Sequence, residues 1–337
     1  MRPNIAFLSM ELSGYWISGI EELKKPANVL VIHYPTNKEA PFKQSLDSAY
    51  NIKPRSEKEL NNILDEFAPN AIFVSGWADR EYKRMAQQFA DRIPVVLCVD
   101  NPWKGTWRQL INVALAIRLR KCYNAAWGCG PGQLAYLKKL GFNSIAQGLY
   151  TADVALFNGA SEADHANSSQ LVCVARYIPQ KNLQALWTAF ANVSNDFPDW
   201  ELHCFGFGAE WDSRLRHEKI IHHGFTQPKE LSEMVERSAA FVLPSLEEHW
   251  GVVVHEMAAC GLPLLLSEAV EARHSFLIES ENGFAFNPNR VSSIELCLRN
   301  FMELSSERKK QMGQKSRALG LKHNPTKWAE IALSFLK

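Results

Sequence analysis

No apolar run in this sequence is long enough to cross a membrane. The longest, such as residues 113–117, fall far short of the ~20 residues a spanning helix needs. Asn4 and Glu11 interrupt the N-terminal stretch where a secretory leader would have its apolar core, so a cytoplasmic protein is expected. There is no CxxC pair: the seven cysteines (Cys98, Cys122, Cys129, Cys173, Cys204, Cys260 and Cys297) are scattered, odd in number and mostly set in apolar runs. That usage excludes a disulfide framework and predicts buried thiols in a reducing compartment. No Asp-x-Asp occurs, so the simplest carboxylate clamp for a metal-bound diphosphate is missing. Acidic residues are absent from positions 101–152, which carry Lys104, Arg108, Arg118, Arg120, Lys121, Lys138 and Lys139. The net charge of +1 hides this bias: residues 1–150 hold 19 Lys/Arg against 13 Asp/Glu, and the remainder 18 against 23. Such a distribution describes a local basic surface and gives no reason to expect a nucleic-acid partner.

What is present fits a globular chain of two domains: 337 residues, 46% hydrophobic and 22% charged. Short apolar strands alternate with helical patterns. In the first half the strands fall at 4–9, 28–33, 70–75, 94–99, 124–128 and 144–149, and the helices at 17–25, 56–67, 80–91, 106–121 and 132–140. Ser56 and Glu59 have capping-box spacing, and polar residues 35–55 read as loop. Residues 153–169 are rich in Asp, Ser, Asn and Gly and read as a linker between domains 1–152 and 170–322. Beyond it, strands at 171–175, 201–205, 220–223, 239–243, 262–266 and 283–286 alternate with helices at 181–195, 209–217, 228–237, 251–260, 270–279 and 291–302. Alternation of this kind predicts parallel sheets covered by helices on both faces. Trp328, Ile331, Ala332 and Phe335 share one helical face in the last segment, 323–337, which needs a surface to cover.

The stretch from Ser245 to Pro263 carries the most chemistry. An apolar strand stops at Pro244-Ser245, Glu247-Glu248 follow, Gly251 permits close backbone approach, and a helical pattern then carries Glu256 before Gly261-Leu262-Pro263 ends it. Backbone N–H groups at the start of that helix, residues 251–254, would attract phosphate. Carboxylates beside them would repel it, unless they accept hydrogens from hydroxyl groups. The stretch therefore points to a ligand with both phosphates and hydroxyls, as a nucleotide-sugar has. Arg176 and Lys181, flanking the loop after the first strand of the second half, supply two cations suited to a diphosphate. Gly206-Phe207-Gly208 and His223-Gly224-Phe225 end two further strands, where a phosphate or base could approach.

In order, these are Arg176-x4-Lys181-Asn182, Gly206-x-Gly208, His223-Gly224-Phe225 and Pro244-Ser245-x-x-Glu248-x-x-Gly251-x4-Glu256-x-x-Ala259-x-Gly261-x-Pro263. The series resembles the donor domain of GT-B glycosyltransferases of family GT4, whose signature is E-x7-E. The resemblance covers about residues 150–290; the N-terminal half matches only in its rhythm. It implies an α/β protein of GT-B fold, with two Rossmann-like doubly wound parallel-sheet domains facing across a cleft and a C-terminal helix crossing back to the N-terminal domain. It implies diphosphate binding by Arg176 and Lys181, ribose binding by Glu256, and contact of Glu248 with the donor sugar. The backbone of Gly251, Val252 and Val253 would hold phosphate or sugar oxygens, with Gly14, Gly206 and Phe225 also on the donor. The implied reaction retains anomeric configuration, uses a UDP- or GDP-linked sugar as substrate, and needs no cofactor or divalent metal.

Two positions depart from the family pattern. Ser13-Gly14-Tyr15 stands where a glycine pair is common, leaving Gly14 alone for a phosphate-contacting backbone. Asp100-Asn101 stands where many members have a His, which makes Asp100 a candidate beside the donor sugar. In residues 103–121, Lys104, Trp107, Arg108, Arg118, Arg120 and Lys121 flank an apolar middle. They read either as a helix packed on the sheet with solvated ends or as a surface meeting a lipid-linked acceptor or anionic lipid, which would place the protein peripherally on the inner membrane face. The expected function is sugar transfer to a glycan or lipid-linked acceptor in cell-surface polysaccharide or glycolipid synthesis. The alternatives are a GT-B epimerase or phosphorylase, or a non-catalytic sugar-nucleotide or glycan-binding protein.

Overall fold

The computed structural model describes residues 1–10, 12–35, 47–54, 56–158 and 165–336. It divides into two compact units, residues 1–151 with 324–337, and residues 152–323. Of the expected loop, positions 36–46 and 55 lie outside the described residues, as do 159–164 of the expected linker.

The first unit runs β1 (Asn4–Ser9), α1 (Gly14–Leu23), β2 (Asn28–His33), β3 (Tyr50–Ile52), α2 (Glu57–Phe67), β4 (Ala71–Ser75), α3 (Arg80–Phe89), β5 (Val95–Val99), α4 (Trp107–Ala114), α5 (Ala116–Arg120), β6 (Ala125–Gly128), α6 (Pro131–Lys139) and β7 (Ile145–Gln147). Its seven strands are ordered β3-β2-β1-β4-β5-β6-β7 and pair in parallel throughout. Leu8, Ile32, Val74 and Leu97 bury completely against helix residues such as Leu64, Met85 and Leu137, as the continuous apolar runs of a two-sided parallel sheet require. The strand order reverses between β1 and β4, so the sheet is doubly wound. Two expectations change here. β3 forms within the stretch read as loop, and the helix expected over 106–121 breaks at Leu115 into α4 and α5.

The second unit runs β8 (Gln170–Val174), α7 (Leu183–Val193), β9 (Glu201–Phe205), β10 (Ile220–Gly224), α8 (Pro228–Val235), β11 (Ala240–Leu243), α9 (Val252–Ala259), β12 (Leu264–Ser267), α10 (Arg273–Phe276), β13 (Gly283–Phe286), α11 (Val291–Met302) and α12 (Ser306–Gly320). Its six strands, ordered β10-β9-β8-β11-β12-β13, are again all parallel. The helix expected over 209–217 does not form. Backbone bonds from Glu210 to Tyr177 and from Trp211 to Gly208 hold turns there, with the Trp211 ring 5.2 Å from Tyr177, so tertiary contacts override local propensity. The helix expected over 270–279 shrinks to α10. Asn282 ends it by donating to the Phe276 carbonyl (2.8 Å) and accepting from the Ile278 amide (2.7 Å).

The last helix, α13 (Pro325–Ser334), belongs to the first unit. Its buried Trp328 packs against Phe7, Trp16 and Trp127 and donates from Nε1 to the Leu149 carbonyl at 2.7 Å. Gly19 of α1 lies under that indole, where a Cβ would come within 2.7 Å of the ring.

Candidate functional site

Because β10, β9, β8 and β11 are adjacent and parallel, the loops at their C-terminal ends emerge on one edge of the second sheet. Those loops carry Phe225, Gly206, Arg176 and Glu248 respectively, so four of the candidate segments come together in one unit. The edge is knitted by backbone bonds: Ala175 donates to Phe205 (3.0 Å), Tyr177 to Phe207 (3.1 Å) and Gly206 to Gly224 (2.7 Å). Gly206 has φ 135°, and a Cβ there would lie 1.9 Å from the Ala175 carbonyl oxygen. The close approach this glycine permits is thus to the neighbouring backbone, where the sequence suggested space for a phosphate or base. The histidines at the same edge are held internally. His223 stacks on Phe205 with centroids 4.3 Å apart and its Nε2 meets His203 Nδ1 at 3.0 Å, while His222 meets the Tyr177 hydroxyl at 2.8 Å. Burial, then the neighbouring His203, holds His223 below the ordinary imidazole range.

The loop after β11 is built on its neighbours. The Ser267 hydroxyl donates to the Ser245 carbonyl (2.7 Å), the Leu246 amide to the Gln180 carbonyl (2.9 Å), and Glu248 exchanges backbone bonds with Ala269 and Glu271 (3.2 Å each). Asn182, in a left-handed conformation, donates to the carbonyls of Pro244 (3.2 Å) and Pro288 (2.8 Å), which fixes the preceding turn, Pro179–Lys181. In this frame Lys181 forms an ion pair with Glu248 Oε2, and both side chains are only 14% exposed. The Ser245 hydroxyl donates to the same carboxylate oxygen at 3.2 Å. Lys181, the cation expected on a diphosphate, compensates the Glu248 charge directly, and Arg176 is the exposed cation at the end of β8.

Gly251 opens α9 at φ 90°, and a Cβ there would meet Glu248 Cγ at 3.0 Å. The glycine is needed both for its backbone conformation and for the space the Glu248 stem occupies. No side chain caps α9, so the first-turn amides, with Val252 and Val253, keep the positive end of the helix uncovered by a capping oxygen. One turn further, Glu256 is half-buried and its carboxylate makes no hydrogen bond among the described residues. Burial pushes it up to about 7, reinforced by the charge of Asp153.

Two residues near this helix had no distinguishing signal in the sequence. His255 is fully buried; its Nδ1 accepts from the Ala152 amide (3.0 Å), and its Nε2 donates to the Gly320 carbonyl (2.8 Å). Burial pushes it down to about 4, so the ring is neutral. Asp153, read as linker, is the charge that acts on Glu256. Both act through contacts distant in sequence, which no spacing encodes.

Gly14 and Asp100 belong to the first unit. Gly14 begins α1 after Ser13, whose buried hydroxyl finds no partner among the described residues. Asp100 follows β5 and is half-buried; its carboxylate accepts from the Tyr150 hydroxyl (3.4 Å) and from Asn101 (3.3 Å), while Gln133 donates to its carbonyl (2.8 Å). The Tyr150 and Asn101 donors offset the desolvation of the negative charge there. Among the basic residues of 104–121, Arg120 donates to the Leu140 carbonyl at the end of α6 (2.7 Å) and remains exposed. All seven cysteines are buried and unpaired. No helix among the described residues is long and apolar enough to cross a membrane.

Residues 160–319, which include every candidate on the second sheet edge, match the family described as Glycosyl transferases group 1. An exopolysaccharide phosphotransferase of Streptomyces coelicolor is 28% identical over 141 residues; the match covers 39% of this chain and 15% of that relative's length. Among solved structures, Anabaena HepE in complex with UDP superposes with a TM-score of 0.79 at 15% identity, covering 99% of both chains. Sucrose-phosphate synthase from Thermosynechococcus elongatus superposes with a TM-score of 0.75, also at 15% identity, over 99% of this chain and 98% of that one. With its two parallel sheets and returning last helix, the chain has the GT-B fold, and its second unit contains the segment that matches the glycosyl transferases group 1 family.

Proposed function

We propose that this protein transfers a sugar from a nucleotide-diphosphate sugar to a glycan or lipid-linked acceptor, with retention at the anomeric carbon, as members of family GT4 do. The observation that carries the proposal is Glu256: a half-buried carboxylate without a hydrogen-bond partner among the described residues, on a helix whose N-terminus no described side chain caps, inside the segment that matches the family. A diol is the ligand group that such a carboxylate lacks, and a phosphate is the group that the helix start attracts. The UDP and UDP-glucose complexes of HepE supply the analogy for the donor class.

In the proposed reaction the bond between the anomeric carbon and the diphosphate oxygen breaks, while a bond forms from the acceptor hydroxyl oxygen to that carbon on the same face. The acceptor proton passes to the leaving phosphate. Arg176 and the amides of Gly251, Val252 and Val253 stabilise the charge gathering on the diphosphate, an effect of ~3–4 kcal/mol for a well-placed donor. Glu256 takes the ribose hydroxyls. Glu248, held by Lys181 and Ser245, meets the donor sugar, and Lys181 keeps its negative charge compensated close to the departing diphosphate. Because these cations and amides take the part of a divalent ion, the proposed transfer is metal-independent.

A panel of UDP- and GDP-sugars with and without acceptor glycans, read as nucleoside diphosphate release, tests the activity; the anomeric configuration of the product, read by NMR, tests retention. Glu256→Ala should raise donor KM by roughly 10–100-fold, the value of hydrogen bonds to a charged group. An unchanged KM overturns the assignment of Glu256.

A further inference from the structure

Of the two helices after β5, α5 buries Ala116 and Leu119 in the core, whereas α4 turns most of its apolar residues outward. α4 buries none of its residues. Trp107 is 66% exposed, Leu110 56% and Ile111 47%, and just beyond the break Leu115 is 45% and Ile117 62% exposed. The other large apolar residues exposed among the described positions, such as Ile52, Phe207, Leu246 and Leu296, are far apart in the chain. A surface helix ordinarily turns its apolar stripe inward, because burial of that stripe is what holds it. Here polar contacts hold α4 together with Val113, its one apolar side chain packed against the core cluster. Thr106 and Gln109 close a capping box at its start, Gln109 also donates to the Pro102 carbonyl (2.7 Å), and Asn112 donates to the Tyr136 hydroxyl (3.0 Å). With its inner side fixed by Val113 and the amides of Gln109 and Asn112, the helix presents Trp107, Leu110 and Ile111 at i, i+3 and i+4 to the outside.

Around this apolar surface stand Lys104, Arg108, Arg118 and Lys121, all exposed, in a segment without a single Asp or Glu between positions 101 and 152. Arg108 lies 5.3 Å from the centre of the Trp107 ring, so cation and indole share one spot. Exposed apolar residues rimmed by like charges fit a partner that is apolar inside and anionic at its surface. A second copy of the same patch would set these cations against one another across a two-fold contact, which disfavours self-association.

We propose that α4 and α5 form a docking surface for an anionic lipid bilayer, lying in its plane with Trp107, Leu110, Ile111, Leu115 and Ile117 at the headgroup boundary and the four cations on the phosphates. Both parts are needed: the cations concentrate the protein at the surface, and the apolar residues hold it there after salt has screened the charges.

The test is cosedimentation of the full chain with vesicles of phosphatidylcholine alone or mixed with phosphatidylglycerol, at low and high salt. The wild type should pellet with the anionic vesicles and stay in solution with the neutral ones. Arg108→Glu combined with Arg118→Glu should weaken partitioning roughly fivefold for each cation removed. Trp107→Ser combined with Ile117→Ser should weaken it on the order of tenfold and make the remainder salt-labile. Unchanged thermal unfolding of both variants separates docking from folding, since every substituted side chain is exposed. A wild type that stays in solution with anionic vesicles at low salt, or variants that partition as it does, overturns the proposal. So does a concentration-dependent dimer, abolished by Trp107→Ser with Ile117→Ser, in a protein that ignores vesicles; the patch would then be a self-contact.

Discussion

At the scale of single residues, Glu256 can meet a diol in either of two protonation states. Ionised, it accepts from both hydroxyls; protonated, it spends one oxygen on donating. Burial first, and Asp153 second, raise it from the ordinary 4.5 to about 7, so the choice falls within the working range of pH. The linkage has a definite sign. Below about 4.5 the group is protonated whether folded or unfolded and imposes no penalty; as pH rises towards 7 the unfolded state ionises first, and stability falls. Glu256→Gln removes that penalty. Its Tm should exceed the wild-type value at about pH 8, by roughly 2–4 °C for each kcal/mol removed, with little gain at about pH 5. Equal gains at both values would show that Glu256 does not titrate between them. Glu248 differs, because Lys181 and Ser245 already satisfy it. The sequence identified both carboxylates through their spacing but gave each an external ligand. The Lys181–Glu248 contact joins positions 67 residues apart and follows from the neighbouring placement of β8 and β11, which no local pattern encodes.

At the scale of elements, α9 depends on its first residue. Gly251→Ala places a Cβ in a left-handed conformation and 3.0 Å from Glu248 Cγ. Strain of about 1–2 kcal/mol for the backbone, with displacement of the Glu248 stem, should lower Tm and reduce donor turnover together. Retained turnover at lowered stability would separate the helix start from the chemistry. Elements whose borders are written locally were legible: Ser56 accepts from the Glu59 amide at 3.2 Å and opens α2 as its spacing predicts. Elements decided by distant contacts were not. Residues 209–217 have helical composition, yet Trp211 is drawn onto Tyr177, and α10 is cut short by Asn282. The break at Leu115 likewise changes one amphipathic helix into two short ones with exposed apolar residues, a feature periodicity alone assigns to the core.

At the scale of the whole molecule, the last helix gives the first unit part of its core. Trp328→Ala would leave a cavity among Phe7, Trp16 and Trp127 and orphan the Leu149 carbonyl. A loss of about 3–5 kcal/mol is expected in denaturant unfolding of the first unit, with the second unit unfolding as in the wild type. A uniform shift of both transitions would contradict the division of the chain. The return of the last helix to the first unit was implied by the family resemblance. Sequence by itself determined the alternation of strands and helices, the parallel sheets and an amphipathic C-terminal helix in need of a surface, and it singled out the stretch from Ser245 to Pro263 as the candidate for chemistry. Those properties reside in periodicity and in residue types with fixed local meaning, Gly and Pro above all. Only the tertiary structure decided that Lys181 pairs with Glu248, that Gly206 makes room for the Ala175 carbonyl, that Arg120 donates to Leu140, and that Glu256 stands without a hydrogen-bond partner among the described residues. Each of these depends on which strands become neighbours and on how much water their packing excludes, and neither quantity is a property of a segment.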